Sequence, residues 1–336
     1  MHRNSTVKFV SNIAGLLAVV LLVGLALSGV GHAATSRAMP LVYSETTFGD
    51  ATRTWSTLAA WEDRTDVNCV TGATGYVLTC YPDSASYDQY IALAGATTDT
   101  SYFRVIRAAA GHERQASFTG SSGNYTFYVN EANSGVYDLS ISSTATGSTY
   151  LAGIQIALSG CRVVGCDVGP FTNATTINTG IYNSSTVAYL VNNYIHGVST
   201  TVSTSSAITS QGAGKVIYAY NNTIDTALTG LLGRTSGVIN GTNNIVRNVT
   251  TTTSGTVNST TSLLTTGAGN VTFGAVPYLS AVDTAAKDQG TDLSADGVFP
   301  FNDAYDGNAR PSGAAWDIGC DEYQVTTGGP MIFFFQ

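Results

Sequence analysis

The sequence predicts an all-β fold, a single-stranded parallel β-helix, from three observations. First, three segments repeat one pattern, an Asn-Asn pair followed by a variable residue and an aliphatic residue: 190–196, 219–225 and 241–247. Second, the later asparagines of these pairs recur at intervals of roughly 20–30 residues, which is typical of a solenoid. Third, only 11% of residues are charged, and the abundant Thr, Val, Ile and Tyr favour strands over helices.

Small and aliphatic residues alternate with larger ones around each Asn pair. Aligning the pairs places the small or aliphatic residues at equivalent inward positions: Ala188 and Leu190, Ile217 and Ala219, Ile239 and Gly241. Because side chains of a strand point alternately to its two faces, we expect Asn192, Asn221 and Asn243 to stack inward at a corner. Asparagine amides bond along such a stack and tolerate left-handed backbone bends. A β-sandwich, the alternative, does not explain the aligned pairs.

Residues 1–33 have the composition of a signal peptide. Arg3 and Lys8 precede an apolar run over 13–30, and small residues at Gly31 and Ala33 predict cleavage after Ala33. An uncleaved membrane anchor is the alternative, since the apolar run is long enough to span a bilayer. In both cases we expect the remaining chain to be exported, to the cell surface or the extracellular space.

Four further segments complete the predicted organisation. Residues 34–70 form an N-terminal cap with one short helix, in which Ser56 is the candidate N-cap and Leu58 and Trp61 face the core. A solenoid needs such a cap because its core is open at each end. The β-helix itself is predicted over 71–282, a C-terminal cap over 283–324 and an apolar tail over 325–336.

Charge and cysteine content limit the partners and the covalent structure. The formal net charge is −8, and without clustered Lys and Arg a nucleic-acid partner is not expected. Export permits disulfides, and the preferred local pairings are Cys69 with Cys80 and Cys161 with Cys166. Two other connectivities of these four cysteines stay open, and Cys320 is left over.

The chain beyond the predicted signal peptide resembles a known family, most closely at its end. Residues 303–313 (DAYDGNARPSG), followed by 316–323 (WDIGCDEY), are similar to the closing signature of choice-of-anchor Q domain proteins, and 288–291 (DQGT) fits the same segment. These are secreted right-handed parallel β-helix proteins of the pectin-lyase-like group. The resemblance implies a right-handed coil and export, but little about activity. Cys320 stands where the family usually has alanine.

One candidate site is an outward column of His196, Asp225 and Arg247, each separated by two residues from the preceding Asn pair. Successive turns would place these side chains about 4.8 Å apart. A base, an acid and a cation in one line could hold a polysaccharide or transfer a proton. The alternative is a solvated face with an Asp–Arg pair contributing about 0–1 kcal/mol.

Two further sets of residues are candidates for binding. Tyr189 and Tyr218 share one outward column with Tyr220 beside it, and exposed aromatic rings are platforms for sugars; the alternative is that they stabilise the sheet as neighbours. Asp303, Asp306 and Asn308, with Asp317, are candidate calcium ligands because calcium prefers oxygen donors. The alternative is a capping turn in which Arg310 pairs with Asp317 or Glu322.

The scarcity of carboxylates argues against catalysis. Between 150 and 280 the acidic residues are Asp167 and Asp225 alone, whereas glycosidases generally use two carboxylates about 5–9.5 Å apart. The sequence therefore favours a secreted, non-catalytic β-helix that contacts glycans, without a cofactor other than calcium. A polysaccharide lyase or glycoside hydrolase is the second hypothesis. The third is a subunit that self-assembles by strand addition through its tail, Met331, Ile332, Phe333, Phe334 and Phe335.

Overall fold

The structure, a computed structural model, describes residues 36–145, 150–171 and 177–324. The predicted signal peptide and the apolar tail lie outside the described residues. The described chain contains one helix, α1 (Leu58–Thr65). Its strands are, in order, β1 (Tyr43–Phe48), β2 (Gly75–Cys80), β3 (Ile91–Ala94), β4 (Arg104–Ala108), β5 (Ser117–Gly120), β6 (Tyr125–Asn130), β7 (Gly135–Tyr137), β8 (Ser140–Ser143), β9 (Tyr150–Ile156), β10 (Cys161–Val164), β11 (Asp167–Phe171), β12 (Ile177–Asn183), β13 (Val187–Val191), β14 (Tyr194–His196), β15 (Ser206–Gln211), β16 (Val216–Tyr220), β17 (Thr223–Thr242), β18 (Ile245–Thr260), β19 (Leu263–Leu264), β20 (Phe273–Ala275) and β21 (Tyr278–Leu279).

The strands form three parallel faces, because each strand pairs with the strand one turn later. Face 1 contains β1, β2, β4, β7, β10, β13 and β16. Face 2 contains β5, β8, β11, β14 and β19, and face 3 contains β3, β6, β9, β12 and β15. The long strands β17 and β18 pass through all three faces. The predicted parallel β-helix is therefore confirmed.

The predicted inward residues line the lumen. Ala188, Leu190, Ile217, Ala219 and Ile239 are all 0% exposed and belong to one continuous apolar core. In the neighbouring turn Cys161 and Val163 hold the positions equivalent to Ala188 and Leu190. The lumen is thus built by stacking single residues from turns that could not bury a core alone.

The corner between faces 1 and 2 differs from the predicted corner in one respect. The first asparagines, Asn192, Asn221 and Asn243, adopt left-handed conformations, with φ of 54°, 51° and 57°. The inward ladder belongs instead to the second asparagines. The Nδ2 of Asn193 donates to the Oδ1 of Asn222 over 3.0 Å, and the Nδ2 of Asn222 donates to that of Asn244 over 3.1 Å. The left-handed bend turns the first side chain outward and the second inward.

The same corner continues in turns without an Asn pair. Asp138, Gly165 and Thr261 take the left-handed position, with φ of 59°, 65° and 43°. The ladder also extends at both ends, since the backbone N–H of Cys166 donates to Asn193 and that of Asn244 donates to Ser262, each over 3.0 Å. The Asn pairs therefore mark three of at least six equivalent corners.

Helix α1 covers the core at the first turn, as predicted. Leu58 and Trp61 are each 1% exposed and pack into the lumen core. The N-cap is Thr57 rather than Ser56, because the Thr57 hydroxyl accepts from the backbone N–H of Ala60 over 3.3 Å. A fully buried Arg104 anchors the helix, since its guanidinium donates to the side chains of Thr65 and Glu62, each over 3.1 Å.

The C-terminal segment 283–324, here called the strap, runs back along the side of the solenoid. The outward amides of the left-handed corner hold it: Asn192 donates to the Asp303 carbonyl over 2.8 Å, and Asn243 to the Thr291 carbonyl over 2.8 Å. Phe299 and Phe301 pack on the outer surface of face 1. The segment predicted as a C-terminal cap thus covers a lateral surface.

Arg310 organises the strap. Its buried guanidinium pairs with Glu322 over 3.0 Å and donates to the carbonyls of Asp317, Gly319 and Cys320 over 2.8–3.0 Å. The predicted pairing of Arg310 with Glu322 is therefore confirmed. A planar guanidinium can satisfy several acceptors at once. Arg310 therefore bonds to the Glu322 carboxylate and to backbone carbonyls of the closing motif together.

The two predicted disulfides are wrong, because all five cysteines are buried free thiols. Cys161 begins β10, and Cys166 lies two residues beyond the end of that strand, so the extended strand alone carries the chain about 10 Å away from Cys161. Cys69 lies near the start of β2, where its carbonyl accepts from Thr74, whereas Cys80 ends that strand. A disulfide requires Cα atoms within about 7 Å.

Among the described residues, α1 is too short to span a bilayer, and no other helix could do so.

Candidate functional site

The predicted polar column lies on the outer surface of face 2. His196 of β14 is in register with Asp225 of β17, which is in register with Arg247 of β18. Their order along the solenoid axis follows from the parallel pairing. The alignment of the three residues is as predicted, and their catalytic role stays a prediction. We call these residues, with Asp167 and Asn248, the polar ledge.

Both oxygens of Asp225 have partners. Oδ2 lies 3.1 Å from the guanidinium of Arg247, and Oδ1 accepts from the Asn248 amide over 2.7 Å. The residue is only 8% exposed. A carboxylate held on both oxygens by a cation and an amide is stabilised as an acceptor, which suits a structural or binding role better than proton transfer.

Asp167 joins the polar ledge although it is isolated in the sequence. It lies one turn before Tyr194 in register, and its Oδ1 is 2.9 Å from the Nε2 of His196. The imidazole stacks on the ring of Tyr194, with centroids 4.6 Å apart and an interplanar angle of 11°. Burial, followed by the carboxylates of Asp225 and Asp167, raises the pKa of Tyr194. The phenol is therefore a neutral hydrogen-bonding group.

The three tyrosines predicted to contact glycans pack against the strap. Tyr189 and Tyr218 stack with centroids 5.8 Å apart, as their shared column predicts. Phe299 of the strap stacks on Tyr189 at 4.8 Å, and Phe301 lies against Tyr220 at 6.4 Å. Tyr220 is only 5% exposed. This surface has the geometry of the structural alternative, in which the rings stabilise the sheet.

The candidate calcium ligands have protein partners, and Asp303 joins the strap to the first described residues. Asp303 accepts from the backbone N–H of Ser36 over 2.8 Å and pairs with Arg37. The carboxylate of Asp306 accepts from the backbone N–H of Asn308 over 3.0 Å. Within the ranges that the structure describes, no group of three or more His, Cys, Asp or Glu side chains has the arrangement of a metal site.

A second set of tyrosines, missed by the sequence analysis, lies on face 3. Tyr128 and Tyr182 occupy one outward column with Gln155 between them. Tyr125 stacks on Tyr128 with centroids 5.4 Å apart, and Tyr150 meets Tyr182 edge-on at 5.3 Å. We call these residues, with Tyr90, the tyrosine patch. The equal spacing of residues 128, 155 and 182 is the sequence signal for this column. An alignment of the three Asn pairs does not include these residues.

The tyrosine patch includes the most exposed ring of the two tyrosine sets. Tyr90 is 49% exposed, whereas Tyr220 of face 1 is 5% exposed. The other four rings of the patch are partly exposed, as are Tyr189 and Tyr218. Burial, followed by the hydroxyls of Tyr128 and Tyr125, raises the pKa of Tyr90. The Tyr90 ring therefore belongs to the same cluster as Tyr128 and Tyr125. Exposed Arg234 borders the patch and lies in register with Gln211.

Searches among family models, curated proteins and solved structures found no match to this chain.

Proposed function

We propose that this protein is an exported, non-catalytic β-helix that binds an extended glycan through the tyrosine patch of face 3. The observation that carries the proposal is the outward column in which Gln155 lies between Tyr128 and Tyr182. Two strand spacings separate the tyrosines by roughly 10 Å. Aromatic rings pack against the apolar faces of sugar rings, and an amide between them supplies a donor and an acceptor for hydroxyls.

The chemistry of the column favours a neutral chain. Its other outward members, Ala92, Thr209 and Leu232, carry no charge. The net charge of the protein is −8, which opposes accumulation of polyanions at the surface. Export, on which a glycan partner depends, rests on the predicted signal peptide.

The polar ledge supports the non-catalytic part of the proposal. Both carboxylate oxygens of Asp225 are held, by Arg247 and by Asn248. A general acid or base has to exchange a proton with substrate in a hydrogen-bonded geometry. A carboxylate that is already engaged in this way is better suited to a structural role in the ledge.

A polysaccharide lyase or glycoside hydrolase is the second candidate, and the Asp167–His196 hydrogen bond favours it. A carboxylate that orients an imidazole is a recurring arrangement for a catalytic base. In this alternative His196 would accept a proton from the sugar, and Arg247 would neutralise a developing negative charge. The glycan would then lie on face 2 rather than on face 3.

Binding to a panel of neutral and acidic polysaccharides, measured together with product release, tests the proposal. We expect the purified protein to bind at least one neutral polysaccharide without releasing unsaturated or reducing ends. Substituting both Tyr128→Ala and Tyr182→Ala should weaken binding at least tenfold. The matched control is Tyr43→Ala, which removes a ring 41% exposed on β1. Full binding by the double variant would refute the patch, and product release lost in His196→Ala would establish the enzymatic alternative.

A further inference from the structure

An apolar pocket lies at the last turns of the solenoid. Its volume is about 220 Å³, and its walls include Ile245, Leu263, Leu264 and Val271. Ile245 and Val271 are buried in a small apolar cluster, whereas Leu264 is 36% exposed. An apolar cavity of about 150 Å³ already holds a benzene molecule. The pocket can therefore enclose one aromatic ring or a short acyl chain.

Arg247 of the polar ledge contributes a fixed donor to the lining of this pocket. Asp225 holds one edge of its guanidinium, because Nε donates to Oδ2 over 3.2 Å and Nη2 lies 3.1 Å from the same oxygen. The ring of Phe273 lies against its face, with the guanidinium carbon 4.7 Å from the ring centroid. Among the contacts between described residues, the third nitrogen, Nη1, has no protein partner. Since a guanidinium is planar and rigid, this free edge is oriented in advance for an acceptor.

The local charge decides which kind of acceptor fits. Asp225 balances the charge of Arg247, and the protein as a whole carries a net charge of −8. A carboxylate ligand would therefore gain little from the neutralised pair and would meet the repulsion of Asp225. A neutral carbonyl oxygen accepts the same hydrogen bond without that repulsion. The exposed amide of Asn270 also lines the pocket and is a second uncharged hydrogen-bonding group.

We propose that this pocket binds a neutral acyl group, an ester or an amide. Its carbonyl oxygen would accept from Nη1 of Arg247, and its apolar part would contact Leu263, Leu264 and Val271. The volume is below the roughly 300 Å³ at which pockets for drug-sized ligands begin, so the acyl group is short or carries a single ring. The group belongs either to a free small molecule or to an acylated glycan, since both present the same chemistry. The site is separate from the tyrosine patch, because Arg247 lies on face 2.

Fluorine NMR titration of the full chain with three probes tests the class of ligand. The probes share one ring: para-fluorobenzamide has a neutral carbonyl, para-fluorobenzoate an anionic carboxylate and para-fluorotoluene no acceptor. We expect saturable line broadening with the amide and at least tenfold weaker binding of the other two probes. Equal binding of the three probes, or no saturable binding of the amide, would overturn the proposal.

Two variants test the location of the site. Arg247→Met keeps a long side chain but removes the donors, so it should weaken binding of the amide at least tenfold. Leu264→Asp places a charge in the apolar wall at a position that is already solvated, and it should weaken binding to a similar extent. The matched control is Leu158→Asp, at a leucine that is 45% exposed, which should bind the amide as the unaltered chain does. Unchanged binding in both pocket variants would overturn the assignment.

Competition against the fluorinated amide separates the two sources of the acyl group. Displacement by O-acetylated xylan, but not by the same xylan after alkaline deacetylation, would support an acyl group carried on a glycan. Displacement by butyramide alone would support a free small molecule. Displacement by neither competitor, or equal displacement by the acetylated and deacetylated xylans, would overturn the proposal.

Discussion

Faces 1 and 3 of the solenoid both carry outward tyrosines, but they use them differently. On face 1, Tyr220 is 5% exposed against Phe301 of the strap, and Tyr189, partly exposed, is stacked with Phe299 of the strap. On face 3, Tyr90 is 49% exposed, and Tyr128 and Tyr182 are partly exposed. The strap covers the first surface and leaves the second open. An outward aromatic column therefore indicates a binding surface only where no later segment packs on it.

The left-handed corner determines which face is covered. It turns the amides of Asn192, Asn221 and Asn243 outward, where they bond to strap carbonyls at Asp303, Asp317 and Thr291. This corner lies between faces 1 and 2, and Phe299 and Phe301 of the strap pack on face 1. Face 3 lies away from this corner.

The largest effect is expected from Arg310→Met, which should release the strap. Removing one partner of a buried ion pair costs about 3–5 kcal/mol, and the variant also removes one of the donors to each of three buried carbonyls. Denaturant unfolding measures the loss. The control is Arg107→Met, whose exposed pair with Glu45 should contribute about 0–1 kcal/mol. Equal losses in the two variants would contradict the organising role of Arg310.

The next largest effect contrasts the two faces directly. Phe301 is 0% exposed, so Phe301→Ala should lower the free energy of unfolding by about 3–5 kcal/mol. Tyr182→Ala on face 3 should cost much less, about 1 kcal/mol, because its ring is partly solvated. Thermal unfolding of the two variants checks this order. If Tyr182→Ala is the more destabilising change, face 3 is a packing surface as well.

Asn222→Ala should destabilise the corner that holds both faces in register. The substitution removes the acceptor for Asn193 and the donor to the Leu190 carbonyl. Each buried group left unsatisfied costs about 1–3 kcal/mol. Asn258→Ala is the control, since this exposed residue bonds only to Asn240 in the described contacts. A loss in thermal stability no greater than that of the control would show that the ladder is dispensable.

The smallest effect is a pH dependence of the strap. Burial raises the pKa of the Asp321 carboxyl to about 6, so between about pH 4 and 6 the folded protein keeps a proton that the unfolded chain has lost. The contribution of this group to stability is therefore present in acid and is lost as the pH rises through 6. Unfolding between pH 4 and 7.5 should show this decline, and Asp321→Asn should flatten it. If the slope of stability against pH is the same in Asp321→Asn, another group is responsible for the decline.

Local periodicity was sufficient to predict the solenoid, its inward residues and the column of His196, Asp225 and Arg247. It could not assign the ladder to Asn193 rather than Asn192. The alternation of inward and outward side chains breaks where the backbone enters the left-handed region, and the sequence does not reveal that bend. It could not predict that Phe301 covers Tyr220, since that contact joins residues about 80 apart. The sequence likewise gave no reason to group Asp167 with His196, because Asp167 lies in a turn without an Asn pair.

Hydroxyl-radical footprinting of the tyrosines, read by mass spectrometry, tests most directly the claim that the strap covers face 1 and leaves face 3 open. We expect Tyr90, Tyr128 and Tyr182 to be labelled in the native protein and Tyr220 to be protected. In Phe301→Ala, Tyr220 should become labelled while the rates at face 3 stay the same. Native labelling of Tyr220 at the rate of Tyr90 would contradict the claim.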